Sequence, residues 1–178
     1  MTFDTQRYPI GPFEKPAEIT AEEVAQWIAA IASFPEQLST AVAHLSDEQL
    51  DTPYRPGGWT IRQVVHHCAD SHLNSFIRFK LALTEDKPTV KPYFEERWAE
   101  LPDGKLAPVA TSLHILDGLH QRWALLLRSL SATDLKKSFL HPEHGKEIFL
   151  DECLGLYAWH GRHHLAHITN LKQQKGWQ

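Results

Sequence analysis

The chain has 178 residues and only two cysteines, Cys68 and Cys153, too few for a disulfide framework or a cysteine-built zinc site. No run approaches the 18 or so apolar residues of a bilayer-spanning helix. The first residues, Met1 to Pro9, hold no apolar stretch of signal-peptide length and carry Asp4, so the expected compartment is the cytoplasm. Positive charge is not in surplus. With 18 basic and 22 acidic residues the net charge is −4, which argues against a nucleic-acid-binding surface. No repeat of solenoid length is visible. A 42% hydrophobic and 22% charged composition is that of a globular chain, and the length suits one domain over residues 1–178. These exclusions leave a small molecule as the expected partner, with neither nucleic acid nor membrane.

Histidine is what the chain has in excess: 12 residues, seven of them in two short segments. One holds His66, His67 and His72, the other His160, His163, His164 and His167.

Four long amphipathic helices are expected, giving an all-α four-helix bundle with long connections. Thr20 and Glu23 form a capping box before apolar residues at helical spacing from Val24 to Leu45, with Pro35 predicting a kink or two abutting helices. Residues 46–50 read as one helical turn. Thr60 and Gln63 form a second capping box, and that helix runs to about Leu83. Residues 84–107 read as a long loop with one short helix near Phe94 to Leu101. Pro108 suits the first turn of a helix reaching about Leu130. A Pro/Gly turn between short apolar runs suggests a small hairpin or ordered loop over 138–149. The last helix runs from about Leu150 to Gln174, before Gly176.

The chemistry is most legible on that last helix. At about 100° per residue, His164 lies about 40° from His160, and both fall inside the apolar stripe with Cys153, Tyr157 and Leu171. Imidazoles at i and i+4 can grip one metal ion, although the glutamate of an HExxH motif is absent from His160-Gly161-Arg162-His163-His164. The alternative is a pair of core histidines bonded to backbone or water. His163 and His167 form a second i,i+4 pair; His163 reads as facing solvent or supporting the site from behind, and His167 as either. Two ligands need a third. On the second helix His67, Ser71, Asn74 and Arg78 form a polar stripe, so His67 is the expected third ligand. Asn74 and Arg78 are candidates for orienting an anionic substrate, unless the stripe is a solvated face. Weaker candidates are a second metal site at His141-Pro142-Glu143-His144 and nucleophilic roles for Cys68 or Cys153, both of which read better as packing residues. His114 and His120 are six apart and cannot clamp together. Trp59 reads as a core anchor.

At these residues the chain resembles the DinB superfamily, and within it the YfiT branch of metal-dependent hydrolases. Carrying the resemblance are Tyr8-Pro9-Ile10-Gly11, Asp51-Thr52-Pro53-Tyr54-Arg55, Gly57-Gly58-Trp59-Thr60 and Arg62-Gln63-Val64-Val65-His66-His67. Asp70-Ser71-His72, Arg78-Phe79-Lys80, Gly155-Leu156-Tyr157, Trp159-His160, His163-His164 and Ala166-His167-Ile168 continue it. The resemblance implies a four-helix bundle, a homodimer, and one zinc or nickel ion per subunit on His67, His160 and His164. Three neutral histidines leave a fourth position to water or substrate. Water activated there implies a hydrolase. A thiol there becomes a thiolate and implies an S-transferase using a low-molecular-weight thiol such as bacillithiol. The sequence leaves both open, beside a non-catalytic metal-binding bundle and a purely structural dimer.

Overall fold

Thr20 caps α1 (Ala21–Val42) by accepting from the Glu23 N–H while the Glu23 carboxylate accepts from the Thr20 N–H. Thr60 and Gln63 do the same for α3 (Ile61–Thr84). These reciprocal bonds satisfy N–H groups that have no partner inside a helix, which is why both helices start there. α6 (Val109–Ser129) follows Pro108, and α8 (Leu150–Lys175) ends at Gly176, whose left-handed φ of 67° suits glycine. The computed structural model describes residues 4–143 and 145–177.

The four long helices make a bundle. Its ring order is α1, α6, α3, α8, so α1 and α3 sit on one diagonal and α6 and α8 on the other. Cross-helix contacts fix the directions. His66 meets Ser112 and His72 meets His120, so α3 and α6 run parallel. Trp27 meets Gly155 and Phe34 meets Gly161, so α1 and α8 run parallel. His67 meets His160 and Ser71 meets Tyr157, so α3 and α8 run antiparallel. The order is therefore up, down, down, up. A parallel pair requires the connection to travel back along about 36 Å of helix, which is why residues 85–108 are long. That connection holds two short helices, α4 (Glu95–Trp98) and α5 (Pro102–Leu106), where the sequence suggests one. Two more short helices are α2 (Asp47–Leu50) and α7 (Ala132–Leu135). The expected hairpin is present as β1 (Ser138–His141) antiparallel to β2 (Lys146–Phe149). His144 lies outside the described residues, so the weak site at 141–144 has no structural account. Pro35 does not divide α1, which is one helix with the proline inside it.

Two apolar clusters fill the bundle. One gathers Trp27, Phe79, Trp123, Phe139 and Leu154, the other Phe34, Leu38, Ile61, Val65, Leu116 and Ile168. Cys68 and Cys153 are buried within them, consistent with packing roles. Arg62 is 5% exposed and binds Asp51 at 2.6 Å, Asp47 at 2.7 Å and the Ala107 carbonyl at 3.1 Å, tying α2 and the end of α5 to α3.

Glycine sets how closely α8 approaches α1. A Cβ on Gly161 would stand 2.9 Å from the Phe34 ring, and one on Gly155 would stand 2.9 Å from the Trp27 ring. Alanine in a helix normally gains about 1 kcal/mol over glycine, but overpacking a buried ring costs about 1–3 kcal/mol. Phe34 cannot retreat, because it stacks on His72 with ring centres 5.1 Å apart. Gly161→Ala is therefore expected to destabilise by up to about 2 kcal/mol net. Gly118→Ala on α6, where a Cβ meets nothing within 4 Å, is expected to stabilise by up to about 1 kcal/mol. Urea midpoints check both, and shifts of the same sign would refute the account.

Candidate metal centre

Antiparallel packing of α3 on α8 brings His67 against His160 and His164. One ring nitrogen from each of the three lies within 4.8 Å of the others. His67 Nε2 and His160 Nε2 are 3.2 Å apart. The His164 ring centre is 4.8 Å from that of His67 and 4.4 Å from that of His160. The three expected ligands, drawn from two helices, thus converge at one place.

They sit in the wall of a cavity of about 810 Å³. His67 and His164 are buried, and His160 is half-buried toward the cavity. Trp59 is half-buried and packs against the second apolar cluster. It forms cavity wall, its ring centre 4.6 Å from His67 and 6.5 Å from His164. Ser71 and Arg78, from the same α3 stripe as His67, also line the cavity, whereas Asn74 is not among the lining residues. The Asn74 amide donates back to the Asp70 carbonyl at 2.9 Å. Arg78 is half-buried, and its Nη2 donates to the Lys91 carbonyl at 3.4 Å.

Burial sets the protonation of these rings. Desolvation, reinforced by neighbouring imidazoles, pushes His67 down to about 4 and His160 and His164 well below the ordinary histidine value. At neutral pH all three are uncharged and each offers a lone pair, the form that binds metal. The Cys153 thiol is pushed up to about 12 and the Cys68 thiol up as well, by burial, so neither is a nucleophile at neutral pH.

The donor set fits a divalent cation. Two nitrogens bound tetrahedrally at about 2.0–2.1 Å to one zinc ion stand about 3.3 Å apart, close to the 3.2 Å between His67 and His160. His164 Nδ1 is buried without a hydrogen-bond partner, as are His163 Nδ1 and His167 Nδ1 beside it, which is unusual for buried polar atoms.

A second trio, His163, His164 and His167, also brings ring nitrogens within 4.8 Å of one another. His163 is 7% exposed, so it does not face solvent; it stacks on Trp159 at 4.5 Å and meets His164 edge-on at 5.0 Å. His167 lies flat on Tyr54 at 3.9 Å, and its Nε2–H donates to the Arg7 carbonyl at 3.2 Å. Trp159 donates to the Gly11 carbonyl at 3.1 Å. These bonds hold the N-terminal segment across α8. This trio comes from α8 alone, whereas His67, His160 and His164 are drawn from α3 and α8.

Sequence reasoning missed the histidines behind the site. His72 and His120 are 0% and 1% exposed, in the polar layer between the two apolar clusters. The signal was available: His72 lies about 140° round α3 from His67, between Phe76 and Phe79, and His120 shares a helix face with Leu116 and Trp123.

Known proteins share this fold. Residues 30–168 match the DinB superfamily. A Bacillus mycoides (strain KBAB4) protein named "Putative metal-dependent hydrolase" is 59% identical over 96% of this chain and 98% of its own length. A Bacillus cereus (strain B4264) protein of the same description is 60% identical over the same shares. The solved structure of YfiT from Bacillus subtilis, described as "a probable metal-dependent hydrolase with an unusual four-helix bundle topology", superposes with a TM-score of 0.95 at 49% identity, covering 98% of this chain and 99% of that one. A family match over most of the length, with the same bundle in a solved relative, places the chain in the DinB superfamily, in its YfiT-like branch.

Proposed function

We propose that the protein is a metal-dependent hydrolase of a small molecule, with one divalent ion, zinc or nickel, held by His67, His160 and His164. The observation that carries this reading is the convergence of three neutral imidazoles from two helices in the wall of an 810 Å³ cavity. A divalent ion there supplies Lewis acidity and makes water or a thiol acidic near neutral pH. The chain supplies the rest. His67, His160 and His164 give up lone pairs without charge. Trp59 covers one side of His67 and His164 and keeps bulk water from that face. Arg78 reaches the same cavity, and its planar fork suits a substrate carboxylate. The Ser71 hydroxyl, 3.3 Å from the Tyr157 hydroxyl, offers a neutral hydrogen bond beside it. Asn74, turned back on its own helix, contributes as a support of α3 rather than as a substrate contact.

One observation favours transfer of a thiol such as bacillithiol as the second reading. The groups acting electrostatically on His67, His160 and His164 are imidazoles, and the glutamates that line the cavity, Glu95, Glu96, Glu100 and Glu143, are not among them. A thiol needs only to lose its proton. Metal-loaded protein is therefore to be incubated with ester and amide substrates, and separately with small thiols and monobromobimane. Hydrolysis abolished by chelation and restored by zinc or nickel is the expected result. Thiol conjugation without hydrolysis would overturn the hydrolase reading in favour of the transferase. Neither activity in metal-loaded protein would overturn both.

A further inference from the structure

Behind the three candidate ligands runs a chain of hydrogen bonds with one possible direction. It begins at the Ile31 carbonyl in α1. In an unbroken helix that carbonyl accepts from the N–H four residues on, but the residue four on is Pro35, which has none. Ile31 instead accepts from His120 Nδ1 on α6 at 2.6 Å. His120 Nε2 is 2.8 Å from His72 Nδ1 on α3. His72 Nε2 is 3.1 Å from His160 Nδ1 on α8. All four long helices take part.

A carbonyl oxygen can only accept, so the proton of His120 is on Nδ1. Buried imidazoles packed against one another and against aromatic rings, with no acid in the chain, are neutral and carry one N–H each. His120 Nε2 is therefore a lone pair, and His72 Nδ1 must donate to it. His72 Nε2 is then a lone pair, and His160 Nδ1 must donate to that. What remains on His160 is a bare lone pair at Nε2, facing His67 across 3.2 Å.

We infer that the Ile31 carbonyl, freed by Pro35, sets the tautomer of His160 through His120 and His72, and so makes His120 and His72 positioning residues of the proposed metal site. The inference rests on the proposed site only in taking His160 as a ligand. The rings cannot turn out of register: His72 is stacked on Phe34 and meets Trp123 and Tyr157 edge-on. The chain ends at a backbone oxygen, which passes no proton on, so it orients His160 rather than conducting protons. It also makes His67 the adaptable partner. Without metal, His67 Nε2–H is the donor to His160 Nε2; on loading, the His67 proton has to move to Nδ1 while the other three rings stay as they are.

The test reads tautomers directly, by two-bond proton–nitrogen correlation on ¹⁵N-histidine protein, first stripped of metal and then loaded with zinc. Nδ1–H is expected on His72, His120 and His160 in both states, with His67 changing from Nε2–H to Nδ1–H. Nε2–H on any of those three in the stripped protein would overturn the inference whether or not the protein binds zinc. Zinc affinity, measured against a chromophoric chelator, gives the second readout. His72→Phe is expected to weaken it about 10- to 100-fold, the usual effect of removing an acceptor behind a metal ligand. His72→Gln, whose carbonyl still accepts from His160 Nδ1–H, is expected to stay close to wild type. An unchanged affinity in a folded His72→Phe, with His160→Ala abolishing binding, would sink the positioning role and leave the metal site standing. A wild type that takes no zinc while showing the expected tautomers in the stripped state would do the reverse.

Discussion

His160→Ala is expected to take bound metal from about one ion per chain to none after dialysis, the largest single effect predicted for the site. Of the three rings, His160 alone faces both ways, toward His67 at 3.2 Å and toward His72 at 3.1 Å. Its loss leaves two ligands on different helices, and an open site needs three. If a bound zinc is worth about 10–16 kcal/mol spread over its ligands, removing one costs about 3 kcal/mol or more, at least about a hundredfold in affinity. Metal content by atomic emission, together with chelator competition, reads this. His167→Ala is the informative comparison, because it removes a member of the neighbouring trio and none of the proposed three. It is expected to keep the metal. The opposite pattern, metal lost in His167→Ala and kept in His160→Ala, would move the site to His163, His164 and His167. Both variants need a stability measurement beside the metal analysis. His160→Ala leaves His72 Nε2 without its donor, at a cost of about 1–3 kcal/mol, and His167→Ala releases the strap at Arg7.

The His160–His164 pair was legible because two residues four apart on one helix need only the helical repeat to place them. The third member of the trio, His67, needed a polar stripe on a second helix and a reason for that stripe to face inward, and antiparallel packing of α3 on α8 supplies it. Arg78 and Asn74 show where such reasoning stops. They share a stripe with His67, yet one lines the cavity and the other hydrogen-bonds its own helix; the wheel gives direction around the axis but not where the cavity ends along it. The cavity-facing side of Trp59 and the burial of His163 escaped the sequence for a related reason. Whether a ring near a helix start, or on the flank of a stripe, meets core, solvent or cavity depends on elements the local sequence does not contain. Here those elements are the N-terminal strap and the segment before α3.

The hidden part of the site has a different cause. The element order was open in the sequence because the two long connections permit several arrangements, and it is in the up, down, down, up order that His72, His120 and the Ile31 carbonyl meet. Pro35 was visible as a breaker, with a kink or two abutting helices as the expected consequence. Its structural consequence is chemical. One carbonyl inside a buried helix has no helical donor, and a histidine of α6 occupies it. A backbone acceptor carries no residue-type signal, so no reading of side chains alone could have closed that chain.

The same buried imidazoles predict a steep loss of stability in mild acid. His67 and His120 are pushed down to about 4 by burial, against about 6.5 in an unfolded chain. Between those values the unfolded chain binds more protons than the folded one, so stability is complete above pH 6.5 and falls as the pH drops toward 4. At pH 5 each of the two contributes a loss of about 2 kcal/mol. His163 and His167 are also pushed down to about 4, and His72, His160 and His164 lie well below the ordinary value, all with the same sign. A domain whose total stability is about 5–15 kcal/mol cannot absorb that many protonations, so metal-stripped protein is expected to unfold cooperatively near pH 5. Urea midpoints from pH 7.5 to 4.5 in the presence of a chelator measure it. Midpoints that stay flat over that range would mean these rings are charged or solvated in the folded protein. That would remove the basis both for their neutrality at the metal centre and for the loss of stability itself. Zinc present throughout should raise the midpoint at pH 7.5, since an ion bound only by the folded chain adds its binding energy to folding. The gain should vanish as protons displace the ion from the imidazoles, so the loaded and stripped curves are expected to converge in acid.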